Sequence, residues 1–335
     1  MDKKTTQMIK GIAILIMIAH HFIVIPFIEL PYLVTLFGYA CKICVAIYAV
    51  LSGYGYFFAK DKTIKYGLKK IWSLLKIYWI SLFTLFIPAA MWGGWKITPW
   101  KLIVQLFGLL PNLNWFAWYV FFYIFCVSVM PILCKYKVFR FKPFTNLVIM
   151  LGAPYILELI LHIIPNFESN TMIHDLYSCF LYFPCFLMGY WMAENEIIEK
   201  TKKIKWFNNF VFCISGIVIM FAVRILINSI AGLLLDVFYS PVMICCIVNL
   251  FKKISYKVVL RVVSVLGKYS TGMWFFHAVF FSTYVCEWFQ PIVKMVSWAP
   301  LMYVWLVMLS LAGAVAYQKV LNILCGAVQF VKRSL

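Results

Sequence analysis

The amino-acid sequence predicts an all-α, polytopic membrane protein: a helical bundle of about ten transmembrane helices with both termini in the cytoplasm. Three observations predict it. Of the 335 residues 65% are hydrophobic and 12% charged, where an average soluble domain has roughly 45–50% and ~25%. The polar surface needed to coat a water-soluble globule is therefore missing. The apolar residues gather into ten blocks, most of them long enough to cross a hydrocarbon core of ~30 Å as a helix. The 30 Lys and Arg, against 11 Asp and Glu, are spread unevenly over the connecting segments. This composition excludes a cytosolic enzyme, a secreted disulfide scaffold and a disordered chain.

In order, the blocks are 11–28, 34–58, 71–92, 115–134, 146–164, 175–193, 208–228, 231–251, 271–289 and 301–325, within a single domain covering 1–335. The first follows Lys3, Lys4 and Lys10, as the h-region of a signal peptide would. No small-residue cleavage site comes after it and it contains His20 and His21, so it reads as an uncleaved span. Residues 101–110 read as a short helix lying at the surface. The longest polar stretch, 194–205, is too short to fold alone, so any chemistry lies within the bundle or at its edge.

The charges set the orientation. With the N-terminus inside, the even-numbered loops are cytoplasmic. The outer loops then hold only Lys96, Lys101 and Lys294, and Lys42, Lys76 and Arg224 fall within spans. The remaining 24 basic residues lie in the N-terminal block, in the loops after spans two, four, six and eight, and at the C-terminal end. That asymmetry is the positive-inside pattern of a multi-pass protein of the cell membrane. It accounts for the net charge of +19 with no nucleic acid as partner. Trp92, Trp95, Trp100, Trp115, Trp118 and Trp298 cluster near span ends, as an interfacial aromatic belt requires. The 11 cysteines lie mostly in apolar stretches. Cys41 and Cys44 have C-x-x-C spacing but sit inside a span around Lys42, so they read as small apolar residues. Neither a disulfide framework nor a metal site is expected.

An ionisable residue inside a span is costly and usually faces the bundle interior. Lys10 precedes His21 by eleven positions, about 16 Å of helix, which puts His21 near the middle of the bilayer. His20 points about 100° away, so the two rings do not face one cavity. A buried neutral imidazole suits proton abstraction from a hydroxyl; a plain inter-helix hydrogen bond is the alternative. Glu158 and His162 share a helix face and read as an ion pair near the outer surface. Lys42 snorkels; Arg224 does the same or lines a pocket for an anionic outer substrate. His277 reads equally as a site residue or a packed imidazole, and His174 as a solvated loop residue. The sequence has no G-x-S-x-G, Walker, H-E-x-x-H or G-x-G-x-x-G signature. Gly53 and Gly55 around Tyr54 carry no phosphate-loop meaning.

Five segments in order carry a resemblance. They are Lys10-Gly11-Ile12 running to Ala19-His20-His21-Phe22; Val45 to Tyr54, ending Leu51-Ser52-Gly53-Tyr54; a basic stretch into Lys76-Ile77-Tyr78-Trp79; Asn114-Trp115-Phe116 to Tyr123 with Pro131; and Gly267-Lys268-Tyr269-Ser270-Thr271 to Trp274, closing on His277. Together, over about Lys10 to Val320, they resemble the acyltransferase-3 family of integral membrane acyltransferases, bacterial surface-polysaccharide O-acetyltransferases for the most part. Lys10 stands where the family more usually has Arg. Lys70 fits the first of two basic places in the third span, and Ser73 occupies the second, with Lys69 and Lys76 as the nearest substitutes.

The resemblance implies transfer of an acyl group, most simply acetyl, from cytoplasmic acyl-CoA to a hydroxyl of a glycan or lipid-linked glycan on the outer side, such as a capsular polysaccharide. Acetyl-CoA would be the donor substrate, with no metal. His21 would act as general base or acyl carrier. Lys10, Lys69 and Lys70, with Lys65, would meet the CoA phosphates. His20, Ser52, Trp115 and His277 would be auxiliary. The competing class is a transporter or flippase of an envelope precursor, in which intramembrane His, Glu and Lys form a relay.

Overall fold

The computed structural model describes all residues except 97, 110–112, 140, 164–170, 232–234 and 335, and except the side chains at 158, 162, 171, 172, 174, 229–231 and 327–334. The expected pair Glu158–His162 and the loop residue His174 therefore lie outside the described side chains. Among the described residues every regular element is helical, as the sequence predicts. In chain order these are α1 (Lys3–Val24), α2 (Tyr32–Ala40), α3 (Cys44–Phe57), α4 (Ile64–Ser81), α5 (Ile87–Trp92), α6 (Pro99–Leu106), α7 (Trp118–Lys135), α8 (Pro143–His162), α9 (Thr171–Glu194), α10 (Ile197–Thr201), α11 (Phe210–Ala231), α12 (Asp236–Phe251), α13 (Lys257–His277), α14 (Cys286–Val293) and α15 (Ala299–Ser334).

Eight stretches of the described residues are long and apolar enough to cross a membrane: Lys3–Val24, Tyr32–Phe57, Ile64–Trp92, Trp115–Lys135, Pro143–Leu161, Asp175–Glu194, Phe210–Asn228 and Ala299–Gly326. The chain is a multi-pass membrane protein. Two segments of the ten expected differ. The block 231–251 forms α12, a shorter helix of 16 residues. The block 271–289 is not one helix: α13 starts at Lys257, ends at His277, and passes through a 3-10 turn, Ala278–Phe280, and the positive-φ residue Tyr284 into α14. Apolarity alone misses the first half of α13 because Lys257, Arg261 and Lys268 dilute it.

Two of the spanning stretches change pitch. A 3-10 turn, Cys41–Ile43, joins α2 to α3. A π turn, Leu82–Phe86, joins α4 to α5, just before Pro88, which has no N–H for the regular ladder.

The chain forms two compact units, one of Met1–Gly67 with Phe125–Lys268 and one of Leu68–Ile124 with Tyr269–Leu335. In the first, α1 starts on Asp2, whose carboxylate accepts the Thr5 backbone N–H at 2.7 Å. That bond holds the Asp2 carboxyl below the usual carboxylate range. α3 packs against α9, and α12 against both; α1 lies against α2, α3 and α12. Two glycine crossings allow these close approaches. A Cβ on Gly53 would stand 1.8 Å from the Phe186 carbonyl oxygen, and one on Gly189 would stand 1.9 Å from that of Val50. Likewise, Cβ atoms on Gly11 and Gly267 would stand 1.9 and 1.7 Å from the carbonyl oxygens of Val263 and Gln7. Three motif glycines, Gly11, Gly53 and Gly267, are thus explained by backbone-to-backbone packing of helices, the role small residues play where lipid removes the usual hydrophobic drive.

One end of this unit gathers polar segments. The Met1 amine reaches Tyr54 Oη at 2.9 Å and Glu199 Oε1 at 3.3 Å, and Lys202 Nζ reaches the same Glu199 oxygen at 2.6 Å. The Lys202 hydrogen bond, with the amine, holds the Glu199 carboxyl below its ordinary range. Lys62 Nζ donates to Tyr190 Oη at 3.0 Å and lies over the Phe57 ring, and Trp191 Nε1 donates to the Pro143 carbonyl at 2.8 Å. On the flanks, α11 leaves Val211, Val218, Ile219 and Leu226 exposed, an apolar face suited to lipid.

In the second unit α6 is tied to α4: Tyr78 Oη donates to the Gln105 carbonyl at 2.6 Å and Trp79 Nε1 to that of Leu106 at 2.8 Å. This is the short helix expected over 101–110; it begins two residues earlier and ends at Leu106. α14 packs on the turn after His277 and on α15, where Trp305 Nε1 donates to the Ile292 carbonyl at 2.9 Å.

Candidate functional site

Within the first unit lie His20, His21, Lys10 and Ser52. α1 leaves the helical path three residues after His21, whose carbonyl accepts the Ile25 N–H at 2.9 Å. Its distance from Lys10 along the helix is as expected, and the imidazole stands in the last turn of α1. The adjacent rings of His20 and His21 have centroids 4.9 Å apart. His20 is tied sideways: its Nδ1 bonds the Gly38 carbonyl of α2 at 2.8 Å. A carbonyl only accepts, so His20 Nδ1 carries a proton there. For His20 this is the plain inter-helix hydrogen bond that is the alternative to a site role. Lys10 is half-buried, and its carbonyl accepts Tyr48 Oη of α3 at 3.1 Å. Ser52 is half-buried beside Gly53 on α3.

Arg224 neither snorkels nor lines a pocket for an anionic substrate. Its Nε donates to Asp236 Oδ1 at 2.6 Å, Nη2 to Oδ2 at 3.0 Å, and Nη1 to the Tyr39 carbonyl at 2.9 Å. Both side chains are buried. The bidentate fork ties α11, α12 and the end of α2 just ahead of the 3-10 turn that carries Lys42. The sequence reading missed Asp236 as the partner. The signal was available: Arg224 near the end of one apolar block and Asp236 near the start of the next face the same membrane edge.

Within the second unit lie Lys69, Lys70, Trp115 and His277. Lys69 and Lys70 are both exposed on the first turns of α4, as is Ser73, while Lys76 is half-buried. Exposed ammonium groups in adjacent positions are geometrically able to meet a phosphate. Trp115 and His277, far apart in sequence, come together through Phe116. Trp115 stacks on Phe116 with centroids 3.9 Å apart, and the Phe116 ring meets His277 edge-on at 5.1 Å. His277 is fully buried and its Nδ1 bonds the Trp274 carbonyl one turn back. In the neutral ring the lone pair then sits on Nε2, the tautomer a general base needs. Asn114, which precedes Trp115, is buried as well; sequence reasoning passed over it as part of a motif.

All 11 cysteines are free thiols, and among the described residues no three His, Cys, Asp or Glu side chains gather as metal ligands.

A family model described as Acyltransferase domain (acyltransferase-3) matches residues 7–318, nearly the whole chain. Comparison with curated proteins and with solved structures gives no match.

Proposed function

Because the chain belongs to the acyltransferase-3 family and is built as a multi-pass membrane acyltransferase, we propose that it moves an acetyl group from cytoplasmic acetyl-CoA to a hydroxyl of a glycan or lipid-linked glycan outside the cell membrane. The observation that carries this reading is the family match across residues 7–318 of a helical membrane chain. Both termini are cytoplasmic. What supports the orientation is the basic asymmetry of the loops together with the gathering of Met1, Lys62, Pro143, Glu199 and Lys202 at one end of the first unit.

The chemistry is an exchange of sulfur for oxygen. Lys69 and Lys70 of the second unit are assigned to the CoA phosphates through charge-assisted contacts, and Lys10 of the first unit is assigned to the donor separately, on its place in the family motif. The acceptor hydroxyl gives its proton to His21, its oxygen attacks the thioester carbonyl, and the tetrahedral intermediate expels CoA thiolate, which takes up the proton. In the variant in which His21 carries the acyl group, imidazole attacks first and the hydroxyl second. His20, held to the Gly38 carbonyl, supports the helix end that presents His21. Ser52, Trp115 and His277 are auxiliary. The flippase alternative, a relay of intramembrane His, Glu and Lys, gains no support from Arg224 and Asp236, which are closed on each other.

Mass spectrometry of envelope glycans from cells with and without the protein tests the reading. The account expects an acetyl increment that depends on the protein; identical O-acetyl content would remove the assignment.

A further inference from the structure

A buried carboxamide brings donors and acceptors that must be satisfied, and leaving a buried polar group unpaired is destabilising. Asn114 is 1% exposed, and neither Oδ1 nor Nδ2 has a hydrogen-bond partner among the described residues. Capping does not account for the side chain. The backbone carbonyl of Asn114 accepts the Ala117 N–H at 2.8 Å, but the carboxamide makes no cap bond to the 3-10 turn Trp115–Ala117. For the fold alone, a leucine here would cost less. Ser282 repeats the anomaly: it is 0% exposed and its Oγ has no partner among the described residues.

The two residues flank one aromatic cluster. Trp115, next to Asn114, stacks on Phe116; Phe116 meets both His277 and Phe281, the latter at 6.2 Å; Phe281 adjoins Ser282. Trp115 keeps 42% of its surface exposed. Aromatic walls with a few unpaired polar groups are the usual construction of a small-ligand site.

We infer that Asn114, with Ser282, binds the sugar hydroxyls of the acceptor, with Trp115 presenting its ring to a sugar face. The ligand class follows from the carboxamide. A lone carbonyl would satisfy Nδ2 and leave Oδ1 unpaired, and a phosphate or carboxylate would repel Oδ1. Neighbouring hydroxyls, each donor and acceptor, satisfy both atoms and the Ser282 hydroxyl as well. A site built to hydrogen-bond hydroxyls also rejects ligands lacking them. The inference rests on the acyltransfer reading above and names the acceptor-binding residues within it.

The test uses the full chain in membranes, labelled acetyl-CoA as donor and chemically de-O-acetylated envelope glycan as acceptor probe. Asn114→Leu should raise the apparent KM for the glycan at least tenfold and leave the apparent KM for acetyl-CoA unchanged. Its thermal midpoint in detergent should be equal to or above that of the wild type, because an unsatisfied buried amide has been removed. Ser282→Ala, a smaller change, should raise the glycan KM several-fold. An unchanged glycan KM in Asn114→Leu overturns the inference. So does a lowered midpoint with both KM values altered together, which would mean that Asn114 serves the fold. Absence of transfer by the wild-type chain overturns the acyltransfer reading and this inference with it; wild-type transfer with an unaltered Asn114→Leu overturns the inference alone.

Discussion

Replacing Arg224 with Met would test how the first unit is held together. The substitution strips Asp236 of two charge-assisted bonds, at 2.6 and 3.0 Å, and the Tyr39 carbonyl of one at 2.9 Å. Both partners of the ion pair are about 2% exposed. Breaking one side of such a pair leaves an uncompensated buried charge, worth about 3–5 kcal/mol, and the lost carbonyl bond adds about 1 kcal/mol. Removing both charges, Arg224→Met with Asp236→Leu, eliminates the stranded carboxylate and should recover all but about 1 kcal/mol, since the pair itself contributes little over apolar packing. The assay is unfolding of the purified protein in detergent for the wild type, both single variants and the double variant. The reasoning requires a coupling energy of about 2 kcal/mol or more between the positions. A double variant no more stable than Arg224→Met would refute it, because the fork would then be solvated and no anchor for α2, α11 and α12.

Other substitutions probe the remaining links. Gly53→Ala and Gly267→Ala should each destabilise by about 1–3 kcal/mol or more through overpacking, while Gly55→Ala, whose Cβ would meet nothing within 4 Å, should be nearly neutral; equal stabilities for all three would remove the crossing argument. Lys10→Ala and Lys70→Ala should raise the apparent KM for acetyl-CoA more than they lower kcat, the pattern of lost uniform binding. An unchanged KM in quantified membranes would detach these lysines from the donor. A cysteine introduced at Lys60, which is exposed in the α3–α4 connection, should resist an impermeant thiol reagent on intact cells in a background lacking reactive native thiols; labelling there would invert the topology.

The helical membrane fold was legible because lipid imposes it: apolar blocks of span length leave a chain few other options. The ends of blocks were less legible. α13 begins at Lys257, where charges on one face mask a helix that a hydropathy reading starts only at 271, and it stops at His277, where a turn with positive-φ Tyr284 follows. The motif residues were visible as a set, but not their division of labour. Gly11, Gly53 and Gly267 pack backbones, and a sequence does not say which carbonyl a missing Cβ makes room for. The spacing from Lys10 separates His21 from His20 in the sequence, but the bond from His20 to the Gly38 carbonyl is visible only in the structure. Trp115 and His277 were selected separately, and Phe116, which joins them, was not. Asn114 escaped notice because an unsatisfied buried amide becomes an anomaly only once its surroundings are known.

The central claim is acyl transfer through His21, and it has a direct measurement: transfer of labelled acetyl from acetyl-CoA to envelope glycan in membranes carrying equal amounts of wild-type, His21→Ala and His20→Ala protein. The account predicts robust transfer by the wild type, none by His21→Ala, and a partial rate for His20→Ala, which loses its tie to the Gly38 carbonyl and its ring contact with His21. Full transfer by His21→Ala, or loss confined to His20→Ala, would contradict it.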